Sequence, residues 1–235
     1  MYTGRHRQRT HAGIPHICGG SSTHFYYQWN VNCTAATWSD QSGNNNHAVQ
    51  ETGDNQPTAA GGGLDFEDTN DAATASMMDL TASFSIGSNK DFLMFILMNP
   101  ESTNSAAYLS DGTSEVFQQT SGNVALFKSP GATNSMNHSA TFTISTGEKS
   151  LLMIHRTNNT TGTIKLYKNG LVHDPSVTDT TGFDIQNLGS KNDASNWFDG
   201  IIYDIGIIDH TKATDKNRDM ITDYLCLKHG IQRLG

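Results

Sequence analysis

The chain alternates between apolar runs of strand length and polar clusters rich in Ser, Thr, Asn, Asp and Gly. Polar clusters of this composition supply the turns that separate strands. The run at 90–98 is apolar almost throughout, which is typical of a strand buried on both faces or lying centrally in a sandwich. The Asn169–Gly170 pair favours the positive φ angles of a tight hairpin. The pattern predicts antiparallel strands, the clearest of them within residues 90–98, 150–156, 163–173 and 198–208.

One segment, residues 214–230, has the spacing of an amphipathic helix. Thr214 can cap its first turn, and Gly230 stands where a left-handed residue ends a helix. We expect this helix to lie against one end of the sheets. Five residues are expected to share its apolar face, namely Met220, Ile221, Tyr224, Leu225 and Lys228.

Residues 38–50, WSDQSGNNNHAVQ, place a polar loop directly after a tryptophan. Short side chains such as those of Asp40 and Asn46 can hydrogen-bond the backbone of their own turn, and Gly43 lets the chain reverse. We therefore predict a structural corner with Trp38 in the core. A ligand loop and a calcium site are the alternatives, although calcium needs more carboxylates than this loop supplies.

Composition narrows the class of protein further. Three cysteines without a CxxC pair argue against a disulfide framework and a zinc ribbon, and we expect neither a cofactor nor a bound metal. The segment that follows the first arginines has no apolar run, so we expect no secretory signal and synthesis in a host cytoplasm. Apolar stretches are too short to span a bilayer, which predicts no membrane partner.

Charge is split unevenly along the chain, whose net charge is −8. The first 39 residues carry three arginines and no acidic residue, whereas the remainder has 12 basic and 23 acidic residues. We interpret residues 1–28 as a basic arm that docks on an acidic partner surface, and 29–235 as the folded domain. The acidic domain disfavours nucleic acid as a partner. The candidate docking residues are Tyr2, Arg5, Arg7, Arg9, Ile14 and Ile17.

Six short motifs, taken in order, resemble concanavalin-A-like and laminin-G-like jelly-roll modules of phage and bacterial surface proteins. The resemblance covers most of residues 29–232. It implies an all-β fold, an antiparallel jelly-roll β-sandwich with one C-terminal helix. The motifs are the Trp38 to His47 corner with Pro57, Gly63-Leu64-Asp65-Phe66, Leu166 to Gly170, Leu188-Gly189, Phe198-Asp199-Gly200-Ile201, and Tyr224-Leu225 with Lys228, Gly230 and Ile231.

Some sandwiches of this kind hydrolyse glycans with paired carboxylates in a Glu-x-Asp-x-x-Glu strand, an arrangement that this chain lacks. Asp65 and Glu67 alternate on one strand and could meet, but we interpret them as solvent-facing. Such modules tend to carry a glutamate before the strand near which Asp204 and Asp209 lie here, so the resemblance assigns no carboxylate role to these two residues. We therefore expect no enzymatic activity.

Two functional hypotheses remain. The first is a non-enzymatic phage virion protein, a capsid decoration protein on the outer surface of the particle. Its partner would be the major capsid protein or another virion subunit, and a homo-oligomer is compatible with it. The alternative is a carbohydrate-binding, lectin-like adhesion module that binds a host-surface glycan. The candidate stacking residues for a sugar are Tyr26, Tyr27, Trp29 and Trp197.

Overall fold

The computed structural model describes residues 23–28, 33–69, 71–120, 124–127, 144–157, 160–191 and 195–235. Only the backbone is described for residues 23–25, 124–127, 174–175 and 177. Six candidate docking residues, Tyr2, Arg5, Arg7, Arg9, Ile14 and Ile17, lie outside the described residues, as does Trp29. The docking arm therefore stays a prediction.

The described chain forms an antiparallel β-sandwich with one long helix, which confirms the predicted fold class. The elements in chain order are β1 (Thr23–Gln28), β2 (Thr37–Trp38), β3 (Ala48–Val49), a 3-10 turn (Gly53–Asn55), β4 (Thr58–Ala60), β5 (Gly63–Phe66), β6 (Met78–Ile86), β7 (Phe92–Pro100), β8 (Ala106–Ser110), β9 (Glu115–Thr120), β10 (Val124–Phe127), β11 (Ser150–Thr157), β12 (Thr163–Lys168), β13 (Leu171–Thr178), β14 (Phe183–Leu188), β15 (Gly200–Asp209) and α1 (Asp215–His229).

Two sheets divide these strands. Sheet A has the order β13-β12-β11-β7-β15-β5-β4, and β1 pairs with the second half of β15. Sheet B has the order β10-β9-β8-β14-β6-β3-β2. Because residues 23–28 form β1 inside sheet A, they belong to the sandwich and not to the arm that we placed at residues 1–28.

Sheet A is covered on both faces, and this explains the continuous apolar run of β7. Phe92, Met94, Ile96 and Met98 face the core between the sheets, while the alternate residues of β7 face a second cluster under α1. A strand with a wet outer face would alternate with polar residues instead. Each large apolar side chain buried in this way stabilises the fold by about 1.5–3 kcal/mol.

The helix covers the outer face of sheet A. The expectation that it would lie against one end of the sheets is therefore wrong. Both predicted caps are confirmed: the Thr214 side chain accepts a hydrogen bond from the Asn217 N–H, and Gly230 has φ 67°. The buried face of α1 consists of Ile221, Thr222, Leu225 and Cys226. Met220, which we had assigned to this face, is exposed.

A buried carboxylate attaches the end of α1 to sheet A. Asp204 lies in the middle of β15 without exposed surface. It accepts hydrogen bonds from Lys228 Nζ (3.0 and 2.9 Å) and His229 Nε2 (2.6 Å), and the Tyr26 hydroxyl lies 3.1 Å away. The attachment joins the last turn of the helix to β1 and β15 together.

A buried arginine on β11 ties three loop carbonyls to the sandwich. The guanidinium of Arg156 donates to the carbonyl oxygens of Lys90 (2.6 Å), Thr181 (2.6 Å) and Gly87 (3.2 Å). It also lies over the ring of Phe92, 4.9 Å from the centroid. These bonds supply the partners that a buried charged group requires.

The polar loop after Trp38 is a structural corner. The Asp40 carboxylate accepts from the backbone N–H of Tyr26 (3.0 Å), Ser42 (2.8 Å) and Asn46 (3.2 Å). Trp38 itself is fully buried in the core. The Asn169–Gly170 hairpin is also confirmed, since both residues have positive φ between β12 and β13.

Candidate functional site

The predicted stacking aromatics are core residues. Tyr26 and Tyr27 are adjacent on β1 and therefore point to opposite faces of sheet A, both of which are covered. Tyr27 packs against Trp38 with 5.5 Å between ring centroids. Trp197 is also buried. No face of these three rings is free for a sugar. The prediction that a glycan stacks on them is therefore wrong.

Asp65 and Glu67 lie beside two further carboxylates, those of Glu101 and Asp199. Burial, with repulsion from Glu101, Glu67 and Asp199, raises the pKa of Asp65 to about 6. Burial also raises the pKa of Glu67 and of Asp199. A carboxyl group with this pKa can exchange a proton near neutral pH. A raised pKa alone does not make a catalytic pair, and the absence of enzymatic activity stays a prediction.

A groove of about 490 Å³ lies where the outer face of sheet A emerges from under α1. We call it the hairpin–helix groove, because the β12–β13 hairpin and the first turns of α1 form its walls. It is lined by His155, Thr157, Lys165, Tyr167, Gly170, Leu171, Val172, Asp215, Arg218, Asp219, Arg233 and Gly235.

The alternation of side chains along β11 and β12 determines which residues form the floor of the groove. On β11 and β12, His155 pairs with Lys165 across the ladder, two residues from the pair Met153 and Tyr167 on the same face. Met153 and Tyr167 are already under α1, whereas His155 and Lys165 lie beyond its first turn. The groove therefore begins where the helix stops covering the sheet.

His155 is buried at this boundary and has one unpartnered ring nitrogen. Its Nε2 lies 3.0 Å from the Ala213 carbonyl oxygen, which can only accept, so Nε2 carries the hydrogen. Burial lowers the pKa of His155, which favours the neutral ring. Nδ1 is then a bare acceptor without a hydrogen-bond partner. It lies 3.5 Å from Asp215 Oδ1, another acceptor, whose side chain is 73% exposed.

The helix side of the groove is a network of paired charges. Arg218 lies over the Tyr167 ring, 4.6 Å from the centroid, and donates to the Tyr167 hydroxyl (2.9 Å). It also donates to Asp215 (2.5 Å) and Asp219 (2.9 Å). Arg233 pairs with Asp219 and Asp223. The guanidinium planes are thus held in fixed positions at the rim.

The hairpin side of the groove is apolar and open to solvent. Leu171 and Val172 begin β13, at the edge of sheet A, and are 45% and 44% exposed. Val172 pairs with Tyr167 and lies on the same face of the sheet, over the groove, whereas Leu171 pairs with Lys168 and its side chain lies on the opposite face. Exposed aliphatic residues beside fixed polar groups are typical of ligand sites, where apolar surface supplies affinity and the polar groups set orientation.

The outer face of sheet B is a second polar surface, and its side chains bind one another. Asn187 donates to Asp79 and accepts from Ser110 (3.3 Å), and Ser85 donates to Asp184. A shallow groove of about 580 Å³ lies beside Ser85 and Asp184. These side chains already hydrogen-bond one another, so they have less to gain from a ligand than the unpartnered Nδ1 of His155 has.

No sequence motif predicted the hairpin–helix groove. The available signal was the pair His155-Arg156, which interrupts an otherwise apolar strand. Within the described residues, no group of three or more His, Cys, Asp or Glu side chains is placed to hold a metal ion. The described part of the chain likewise contains no helix with the length and hydropathy needed to cross a membrane.

No protein-family model matches the sequence, and no curated protein is significantly similar to it. Solved structures share its fold. The sialidase of Trypanosoma rangeli in complex with sialic acid has a TM-score of 0.54 at 9% identity, over 92% of this chain and 34% of the sialidase. The receptor-binding domain of botulinum neurotoxin D has a TM-score of 0.55 at 18% identity, over 88% of this chain and 53% of the toxin chain.

A structure of botulinum neurotoxin type C, whose cell entry depends on interaction with two ganglioside molecules, has a TM-score of 0.53 at 18% identity over 88% of this chain. The chain spans about a third of the sialidase and half of the toxin chains. Identities this low show the fold alone. The chain accordingly has a lectin-like β-sandwich fold.

Proposed function

We propose that this chain is a lectin-like module that binds a glycan in the hairpin–helix groove. The observation that carries the proposal is the groove itself, in which the exposed aliphatic side chain of Val172 lies beside fixed hydrogen-bonding groups. A sugar has the same two properties, apolar C–H faces and hydroxyl edges. Val172 would contact the C–H face, while Arg218 and His155 would bind hydroxyl groups.

The structural comparisons support this proposal over the virion hypothesis. One neighbour was solved with sialic acid, and the cell entry of another depends on gangliosides. The virion hypothesis depends on a docking arm that lies mostly outside the described residues. Particle incorporation of a chain that lacks residues 2–17 would test it, and it stays a prediction.

A glycan array with the purified chain tests the proposal, followed by calorimetric titration of the strongest binder. We expect Val172→Asp to weaken binding by about tenfold or more, which corresponds to about 1.4 kcal/mol. Leu227→Asp is the matched control, because Leu227 is 72% exposed on α1 and does not line the groove. The control should bind as the wild-type chain does.

Two results would contradict the proposal. If no glycan on a broad array binds, the chain is not a glycan-binding module under the conditions tested. If a glycan binds but Val172→Asp and Leu227→Asp both leave its affinity unchanged, the site lies elsewhere, with the outer face of sheet B as the next surface to mutate.

A further inference from the structure

We propose, as a refinement that rests on the proposed function, that the hairpin–helix groove selects neutral, hydroxyl-rich glycans over acidic ones such as sialylated chains. The inference follows from the charge pairing of the groove and from its unpartnered acceptor. It runs against the simplest extrapolation from the structural neighbours, one of which was solved with an acidic sugar.

The guanidinium groups at the groove are already engaged by carboxylates. Arg218 binds Asp215 and Asp219, and Arg233 binds Asp219 and Asp223. An acidic sugar is held best by a guanidinium fork that can turn both N–H donors to the ligand carboxylate. Here an incoming carboxylate would have to displace an existing partner and would gain little from the exchange.

The exposed carboxylates also repel an anionic ligand. The Asp215, Asp219 and Asp223 side chains are 73%, 45% and 63% exposed, so their charges face the solvent from which a ligand arrives. Lys165 adds one positive charge at the floor, which leaves three cationic and three anionic side chains at this surface. The whole chain carries a net charge of −8, and its field disfavours the approach of anions.

The unpartnered atom of the groove requires a donor. Nδ1 of His155 has a lone pair and no hydrogen-bond partner, and Asp215 Oδ1, 3.5 Å away, is a second acceptor. A ligand carboxylate is also an acceptor and would worsen this contact. A hydroxyl group can donate to Nδ1 once the exposed Asp215 side chain turns aside.

The aliphatic surface of the groove suits a neutral sugar. Val172, which is 44% exposed on the groove face of β13, can contact the C–H face of a sugar ring. A neutral polyol therefore avoids the repulsion that an anion meets and can supply the donor that Nδ1 of His155 lacks.

The test compares matched glycan pairs, the same neutral oligosaccharide with and without a terminal sialic acid, by titration calorimetry. The wild-type chain should bind the neutral member at least about tenfold more tightly. Asp219→Asn combined with Asp223→Asn should release the Arg233 guanidinium from its two carboxylate partners, improve binding of the sialylated member and narrow the difference. Asp215→Ala removes the side chain in front of Nδ1 and should strengthen binding of the neutral member, whereas His155→Phe should weaken it. A thermal unfolding curve checks that each variant is folded.

The outcomes separate this inference from the proposed function. If the sialylated member binds as tightly as the neutral one and Val172→Asp abolishes both, the groove binds glycans but the selectivity inference is wrong. If neither class binds, the proposed function fails and the inference fails with it. If the double variant leaves the preference for the neutral member unchanged, charge pairing is not its cause and the argument is overturned.

Discussion

Replacing Asp204 by Asn should detach the end of α1 from sheet A. The carboxylate is fully buried and is bonded by both Lys228 and His229, with the Tyr26 hydroxyl 3.1 Å away. Asn is nearly the same size, so the change removes the charge and half of the acceptor capacity with little change in packing. The perturbation therefore tests the attachment and not the volume of the core.

The size of the effect follows from the surroundings of the pair. Breaking a fully buried ion pair costs about 3–5 kcal/mol, largely because one charge stays buried alone. The Lys228 side chain is 24% exposed and can recover part of its hydration, and the Asn oxygen can still accept hydrogen bonds. We therefore expect Asp204→Asn to lower the free energy of unfolding by about 2–3 kcal/mol. For a domain of this size that is a fall in Tm of about 4–12 °C.

Urea unfolding followed by circular dichroism measures this loss, and Asp223→Asn is the control, since Asp223 is an exposed carboxylate on the same helix. That control should change stability by about 1 kcal/mol or less. A double-mutant cycle with Lys228→Met isolates the pair. If Asp204→Asn costs no more than the control, or if the cycle shows no coupling, the attachment contributes nothing and the reasoning is refuted.

Three further outcomes are expected. Asp65 has a pKa of about 6, above its value in an unfolded chain, so the folded state binds the proton more tightly and stability falls as the pH rises from about 4 to 6. Asp65→Asn should therefore stabilise the fold at pH 7–8 by up to about 1 kcal/mol after solvent screening, and an equal gain at pH 4 would contradict this. Gly189→Ala should lower the free energy of unfolding by about 2–4 kcal/mol in a thermal melt, because φ is +79° and the new Cβ would lie 2.5 Å from the Phe66 ring. Its control, Gly53→Ala, has open space around the new Cβ and should be nearly neutral. Arg156→Met should cost about 2–3 kcal/mol in urea unfolding, because it removes three partly buried hydrogen bonds to loop carbonyls, and a loss below about 1 kcal/mol would show that water replaces the arginine.

Local features of this fold could be predicted from the sequence because local chemistry determines them. The Asn169–Gly170 turn needs only two residues that tolerate positive φ, and the ends of α1 need only Thr214 and Gly230. The corner after Trp38 is held largely by the short side chain of Asp40. In each case most of the bonding partners lie within a few residues of one another.

The position of the helix could not be predicted in the same way. Alternation along β1 shows that Tyr26 and Tyr27 point in opposite directions, but not that both faces of the sheet are covered. The contact that fixes the answer, between Tyr26 and Asp204, joins residues 178 positions apart. From the sequence, these aromatic side chains were only candidates for a binding surface, because exposure depends on such distant partners.

The groove was missed for a related reason. Its walls come from β11, the β12–β13 hairpin and α1, and none of these segments carries a recognisable motif. The significance of His155 depends on Ala213 and Asp215, which lie about sixty positions further along the chain. A single histidine within a strand has no such meaning until its neighbours in space are known.

The central place of β7 in sheet A has a consequence for synthesis on the ribosome. Its neighbour β15 begins at Gly200, a hundred residues after β7 ends at Pro100, and α1 follows later still. At about 5–20 residues per second, this apolar strand emerges about 5–20 s before its second neighbour exists. During that interval β7 is a segment that a chaperone would hold, and a nascent chain stalled before Gly200 would be a substrate for aggregation and proteolysis.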